Sequence, residues 1–296
     1  MTLPRPPLAA LLTLGVATVL AAQPPAAPKG TLFIVGGGTQ PPELVTHFVD
    51  LAGGRGKARI AILPMASAEA EAGGREKAEQ LRELGADAFV VNVTRAQAQT
   101  DSVARLLDGA TGIWFPGGDQ VRLADVLRGT PTLRAIQARY RAGAVVGGTS
   151  AGAAIMSDSM LTGNQLRDGV VDTTTSGYPR VARRTIEIVP GLGFLHGAIV
   201  DQHFLRRQRS NRLLAVILER PTMIGVGIDE GTALRVDPDG RWTIEGASAA
   251  LVVDARQAAT TRAAARTLGA TGLRVHLLPA GSTFDPRTGR ASLPRD

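Results

Sequence analysis

From residue 30 to residue 148, short apolar runs closed by glycine alternate with segments of helical spacing. The runs are TLFIVGGG (31–38), ARIAILPMAS (58–67), AFVVNV (88–93), GIWFPGG (112–118) and AVVGG (144–148). None alternates polar with apolar, so each predicts a strand buried on both faces. Between them lie predicted helices at 42–53, 69–84, 100–109 and 121–142. In the first, Leu44, Val45, Phe48, Val49 and Leu51-Ala52 form one stripe; in the last, Leu123, Val126, Leu127, Leu133 and Ile136 face inward. Buried strands alternating with helices predict an α/β fold, with a mostly parallel central sheet flanked by helices on both faces. Sites in such sheets gather at the carboxyl ends of strands. Three glycine clusters fall there: Gly36 to Gly38, Gly117-Gly118, and Gly147-Gly148 with Gly152.

The pattern changes after residue 170. VVDTTTSGYP reads as a loop, GAIVDQHF (197–204) as a strand running into a site, and 205–219 as a helix. MIGVGIDE (223–230) and TALRVD (232–237) read as strands, and 242–278 as short edge strands that add a C-terminal extension to the sheet. No repeat and no second domain boundary is visible, so residues 30–296 are expected to form a single α/β domain.

The N-terminus reads as an address. Arg5 precedes an apolar stretch from Leu8 to Leu20, and Ala21 and Ala22 supply small residues before a cut. The stretch falls short of the about 20 residues of a membrane span. Residues 1–22 are therefore expected to be a secretory signal and 23–29 a linker. The expected location is extracellular or periplasmic, with no membrane contact after cleavage.

The net charge of +7 comes almost wholly from arginine, because Lys29, Lys57 and Lys77 are the only lysines. The basic residues are dispersed, without a long run or interleaved aromatics, and nucleic acid is not an expected partner. The chain has no cysteine. That excludes disulfides, thiolate metal sites and a cysteine nucleophile. No metal and no cofactor is expected, and a homodimer is left open.

Gly148-Thr149-Ser150-Ala151-Gly152 fits G-x-S-x-G after a predicted strand and before a predicted helix, AAIMSDSM. This is the context of a nucleophile elbow, whose tight turn strains the serine and demands small neighbours. A serine that merely caps the helix is the alternative. A serine nucleophile needs a base. Of His47, His196, His203 and His276, the third stands at the end of an apolar strand among polar groups. His203 is the expected base. The oxyanion donors are expected to be the backbone N–H groups of Ala151 and of the Gly117-Gly118 turn.

Three segments, GGDQ (117–120), GGTSAGA (147–153) and DQHFLRRQRSNRL (201–213), together resemble the cyanophycinases. These belong to serine peptidase family S51, within the flavodoxin-like, class I glutamine-amidotransferase-like fold. The third segment is the specific one, D-Q-H-F-x-x-R-x-R-x-x-R. The likeness extends over nearly all of residues 30–290, including GIDEGTAL (227–234) and LLPAGSTFD (277–285). It implies hydrolysis of cyanophycin, a backbone of aspartates bearing an arginine on each β-carboxyl, with release of β-aspartyl-arginine dipeptides.

The resemblance also implies an acidic triad member between the serine and the histidine. Asp168 has about the expected interval, with Glu187 as substitute. It assigns Gln120, Asp201, Gln202, Arg207, Arg209 and Arg212 to substrate, with Asp119 as a further receptor for the substrate's arginine. Asp229 and Glu230 are read as structural, and one of Arg209 and Arg212 is expected to brace the site by pairing with Asp201 or Asp229. An aspartyl dipeptidase-like hydrolase and a non-catalytic binding protein on the same scaffold are the rival readings. A classical amidotransferase is excluded by the missing cysteine.

Overall fold

The computed structural model describes residues 27–175 and 177–294. The expected signal at 1–22, and the linker as far as residue 26, lie outside the described residues. The first half holds strands β1 (Leu32–Val35), β2 (Arg59–Ile62), β3 (Asp87–Val90), β4 (Gly112–Phe115) and β5 (Val145–Thr149). Helices α1 (Pro42–Leu51), α2 (Ala70–Glu83), α3 (Arg95–Ala98), α4 (Asp101–Leu106), α5 (Gln120–Leu127) and α6 (Pro131–Ala142) separate them. The single helix expected over 121–142 is two. Gly129 takes φ 75, Thr130 accepts the Leu133 N–H at its side chain, and Pro131 starts the second helix. A cap followed by proline is a start signal, so the pattern breaks there.

The second half continues with α7 (Ala151–Ala154), β6 (Ser159–Arg167), β7 (Val170–Val171), β8 (Ile186–Pro190) and β9 (Ala198–Gln202). Then come α8 (Ser210–Glu219), β10 (Ile224–Ile228), β11 (Thr232–Val236), β12 (Trp242–Gly246) and β13 (Ala249–Asp254). The chain closes with β14 (Ala259–Thr260), β15 (Ala270–Thr271), β16 (Arg274–Pro279), β17 (Thr283–Asp285) and β18 (Arg290–Ser292).

The main sheet runs β18-β17-β12-β11-β1-β5-β4-β2-β3. From β1 to β3 the pairing is parallel, and from β1 outward through β11, β12, β17 and β18 it is antiparallel. The parallel core is the one its apolar runs predict, and the late strands extend it. A second sheet, β16-β13-β10-β9, carries the parallel pair β9 and β10. The strand that delivers His203 therefore belongs to a different sheet from the strand that delivers Ser150. A small sheet of β7, β6 and β8 occupies the segment after the elbow.

Alternation of side chains along each strand sorts the core into layers. Phe33, Val35, Ile60, Ile62, Trp114 and Val145 face α1 and α2. On the opposite face Leu32, Ile34, Ile113 and Val146 share one cluster with Leu123 and Ile136, from α5 and α6, and with Val200, Val226 and Ile228 of the second sheet. The second sheet thus covers part of the main sheet where helices alone were expected. Its outer face is closed by Leu213, Val216 and Ile217 of α8, together with Phe204.

Gly227 of β10 permits that last contact, since a Cβ there would lie 2.3 Å from the Phe204 ring. Gly227→Ala is expected to lower the unfolding free energy by about 1–3 kcal/mol through overpacking. Urea unfolding followed by tryptophan fluorescence checks this; an unchanged midpoint would mean that the ring is free to move away.

Candidate active site

β5 ends at Thr149, and Ser150 turns the chain with φ 54 and ψ −109. That backbone region is strained for any residue with a Cβ. The turn is so tight that a Cβ on Gly152 would lie 2.0 Å from the Phe115 carbonyl oxygen. This close approach explains why the neighbours of the serine are small. The helix behind it, α7, is one turn long, and the chain then enters β6. Of the expected helix over AAIMSDSM only the first two residues lie in α7, so no extended helix dipole bears on the serine. The Ser150 side chain does not cap α7; its hydroxyl is turned to His203.

His203 follows β9 and also takes a left-handed backbone, φ 50. Its N–H donates to the Gly36 carbonyl oxygen at 2.6 Å, which joins the end of the second sheet to the end of β1. The imidazole lies over Gly37, where a Cβ would stand 2.3 Å from its Cε1. The first glycine cluster is thus the floor of the imidazole. Nε2 is 2.8 Å from Ser150 Oγ, and Nδ1 is 2.6 Å from Glu230 Oε1. Glu230 follows β10, and its carbons pack where a side chain on Gly38 would go. Serine, histidine and glutamate stand in one hydrogen-bonded line at the carboxyl ends of β5, β9 and β10.

The imidazole is nearly buried, and this desolvation holds its proton affinity below the ordinary histidine value of 6.5. The bond to Glu230 acts in the opposite sense, and the charge of Arg207 adds to the lowering. A neutral imidazole with Nδ1–H turned to a carboxylate leaves Nε2 free to accept the serine proton. The Gly117-Gly118 turn packs against Ser150, with the position of a Gly117 Cβ 3.4 Å from Ser150 Cβ. Among the described residues, no backbone carbonyl takes the N–H of Gly118 or of Ala151.

The acid that meets the imidazole is Glu230, not Asp168. Asp168 is largely exposed and pairs with Arg266 at 3.0 Å. Glu187 is also elsewhere, accepting from Thr162 Oγ1 at 2.7 Å and Asn164 Nδ2 at 2.8 Å. The acid does not lie between the serine and the histidine but comes 27 residues after the histidine. The signal that could have found it is positional. GIDEG places a carboxylate directly after an apolar strand, where the other two members also sit. Asp229, read as structural, does hold the loop: its carboxylate accepts from the Arg206 N–H and from Ser248 Oγ, each at 2.9 Å.

Several residues assigned to substrate are already committed inside the fold. Asp201 and Arg212 are fully buried against each other, with Arg212 Nε donating to Asp201 Oδ2 at 2.8 Å. Neither is open to a substrate, because a buried charge pair is held by its mutual compensation. Arg209 donates to the Gln202 carbonyl oxygen at 2.6 Å and to its side chain. Gln120 is buried and gives Nε2 to the carbonyls of Leu161 and Thr162 at 2.8 and 2.6 Å. Asp119 caps α5 through the N–H groups of Val121 and Arg122. Only Arg207 is both exposed and close enough to the imidazole for its charge to be felt there.

Among the described residues, no group of three or more His, Asp and Glu is placed to hold a metal ion. No helix among them is long and apolar enough to cross a membrane.

This fold and this site define a serine hydrolase of the α/β class. The model of peptidase family S51 matches residues 32–243. The chain is 33% identical to the cyanophycinase of Synechococcus elongatus over 273 residues, covering 88% of this chain and 80% of that one. The identity to the cyanophycinase of Trichormus variabilis is also 33%, covering 88% and 87%. A crystal structure of a peptidase from an acI-B1 Actinobacterium shares the fold with a TM-score of 0.63 at 23% identity, over 86% of this chain and 96% of that one. The chain belongs to peptidase family S51 and is a serine-type peptidase.

Glu230→Gln keeps the shape and removes the charge that orients Nδ1–H. It is expected to lower kcat by about 10³- to 10⁴-fold. Asp168→Asn is expected to leave kcat unchanged. Steady-state rates of the two variants side by side decide between these carboxylates.

Proposed function

We propose that this chain hydrolyses the aspartyl backbone of cyanophycin and releases β-aspartyl-arginine dipeptides through an acyl-enzyme on Ser150. The observation that carries the reading is the Ser150–His203–Glu230 line, with unspent backbone donors beside it. The substrate is drawn from the likeness to the named cyanophycinases over most of the chain. Ser150 Oγ attacks the carbonyl carbon while His203 Nε2 takes its proton. The carbonyl oxygen, now negative, is held by the N–H groups of Ala151 and Gly118, which are fixed before the charge develops. Glu230 steadies the imidazolium. The proton then passes to the leaving amine, the C–N bond breaks, and water releases the acyl group by the reverse route. Arg207 faces the carboxylates of the substrate. The leader at 1–22 exports the enzyme, so that it works in the periplasm or outside the cell.

Purified protein incubated with cyanophycin is expected to yield the dipeptide by mass spectrometry. Ser150→Ala is expected to yield none, and polyaspartate is expected to stay intact. Dipeptide release by the alanine variant would remove the serine mechanism. Hydrolysis of small aspartyl peptides with the polymer untouched would instead assign an aspartyl dipeptidase activity.

The depressed proton affinity of His203 sets a pH profile. The imidazole works as a base only when neutral, so kcat/KM is expected to rise with pH along an acid limb. Because the folded value lies below 6.5, the midpoint falls on the acid side of an ordinary histidine. Glu230 raises the affinity, so Glu230→Gln is expected to move the limb further toward acid while reducing the plateau. A midpoint above 6.5 in the wild type would contradict the buried neutral base.

A further inference from the structure

A cavity of about 610 Å³ lies between the β6–β7 hairpin, the segment up to β8 and the loop 263–266. None of its lining residues belongs to the Ser150–His203–Glu230 line. Its volume falls in the range of small-ligand sites, about 300–1,000 Å³. Five arginines line it against two aspartates. Arg183 is spent on the carbonyls of Thr261, Arg262 and Ala265 and ties the two walls together. Arg167 is matched by Asp172 at 2.9 Å. The guanidinium groups of Arg180 and Arg184 are exposed and pair with no carboxylate among the described residues, while the Arg184 backbone N–H donates to Glu219 Oε1. The cavity therefore presents uncompensated guanidinium groups, which grip carboxylates in a fork.

Backbone conformation marks the same place. The non-glycine residues with positive φ are Ser150, His203, Gln208, Asp168 and Arg184 among the described residues. The first two are the nucleophile and base, and the last two stand in the cavity wall. Strain of this kind gathers at ligand clamps as well as at active sites. Tyr178 joins the two places. It lines the cavity, and its hydroxyl accepts from Arg212 Nη1 at 2.7 Å, while Arg212 clasps the Asp201 that precedes the base by two residues.

We propose that this cavity is a docking site for a distal repeat of the polymer, held by its carboxylate on Arg180 and Arg184. The inference rests on the function proposed above. An arginine joined to the backbone through its α-amine keeps its α-carboxylate, so each repeat of cyanophycin offers one. A repeat that has not reached the serine can bind here while another is cut.

Arg180→Ser/Arg184→Ser removes both forks on exposed positions. Its KM for long polymer is expected to rise about tenfold or more, with kcat unchanged. The kinetic constants for a two-repeat oligomer, whose two repeats flank the bond being cut and leave no distal repeat, are expected to stay the same. Direct binding of polymer to Ser150→Ala, with and without the two arginine changes, is expected to show the same loss. An unchanged polymer affinity overturns the proposal, as does an equal rise in KM on polymer and oligomer. Loss of binding to free β-aspartyl-arginine alone would assign the cavity to product and also overturn it. A wild type that binds polymer through these arginines yet does not cut it would sink the proposed function and leave the cavity standing.

Discussion

The site depends on backbone hydrogen bonds at the turn after β1, first among them the one from the His203 N–H to the Gly36 carbonyl oxygen. Ser150 rides on the main sheet, and His203 and Glu230 ride on the second one. Without a stitch at their carboxyl ends, nothing in either sheet would fix the 2.8 Å separation of Nε2 and Oγ. Gly36 also donates its own N–H to the Thr232 carbonyl oxygen, and Gly231 donates to Gly37. The turn after β1 is thus bonded both to the chain that brings the base and to the chain that brings the acid. Its glycines let the imidazole and the glutamate settle directly on the backbone.

Ser150 and His203 both take a left-handed backbone, and such strain persists only where the surroundings over-determine it. At Ser150 the restraint is steric, from the packed Phe115 carbonyl and the short α7. At His203 it is electrostatic and lies one layer deeper. Asp201 is anchored by Arg212, and Tyr178 accepts from the same guanidinium and stacks over it at 4.8 Å. Removing one member of such a buried pair strands the other charge at a cost of about 3–5 kcal/mol. The pair therefore fixes the end of β9 rather than contributing to affinity.

Much of this was legible in the residues. The parallel core followed from apolar runs without alternation, the elbow from G-x-S-x-G, and the base from its place after IVDQ. What escaped had physical reasons. A strand's apolar pattern reports that both faces are buried but not which sheet it joins, so the second sheet was invisible. The strands β6 and β8 carry mixed, half-exposed sequences with no period to read. Glu230 escapes because the resemblance places the acid between the serine and the histidine, whereas chain order does not bind a triad, which is set by geometry alone.

The three arginines after the base show how one motif divides its labour. Their spacing predicts only a basic helical face. In the fold, the segment from Phe204 to Arg209 is a turn rather than helix, and α8 begins at Ser210. That shift sends Arg212 inward to Asp201, leaves Arg209 half-committed to Gln202, and turns Arg207 outward beside the imidazole. Burial holds Arg209 down to about 10, the lowered affinity of a cation with little water and a second guanidinium nearby. The gradient from buried to exposed matches a gradient of tasks. The inner charge secures the strand, the middle one shapes the loop, and the outer one is left open to solution.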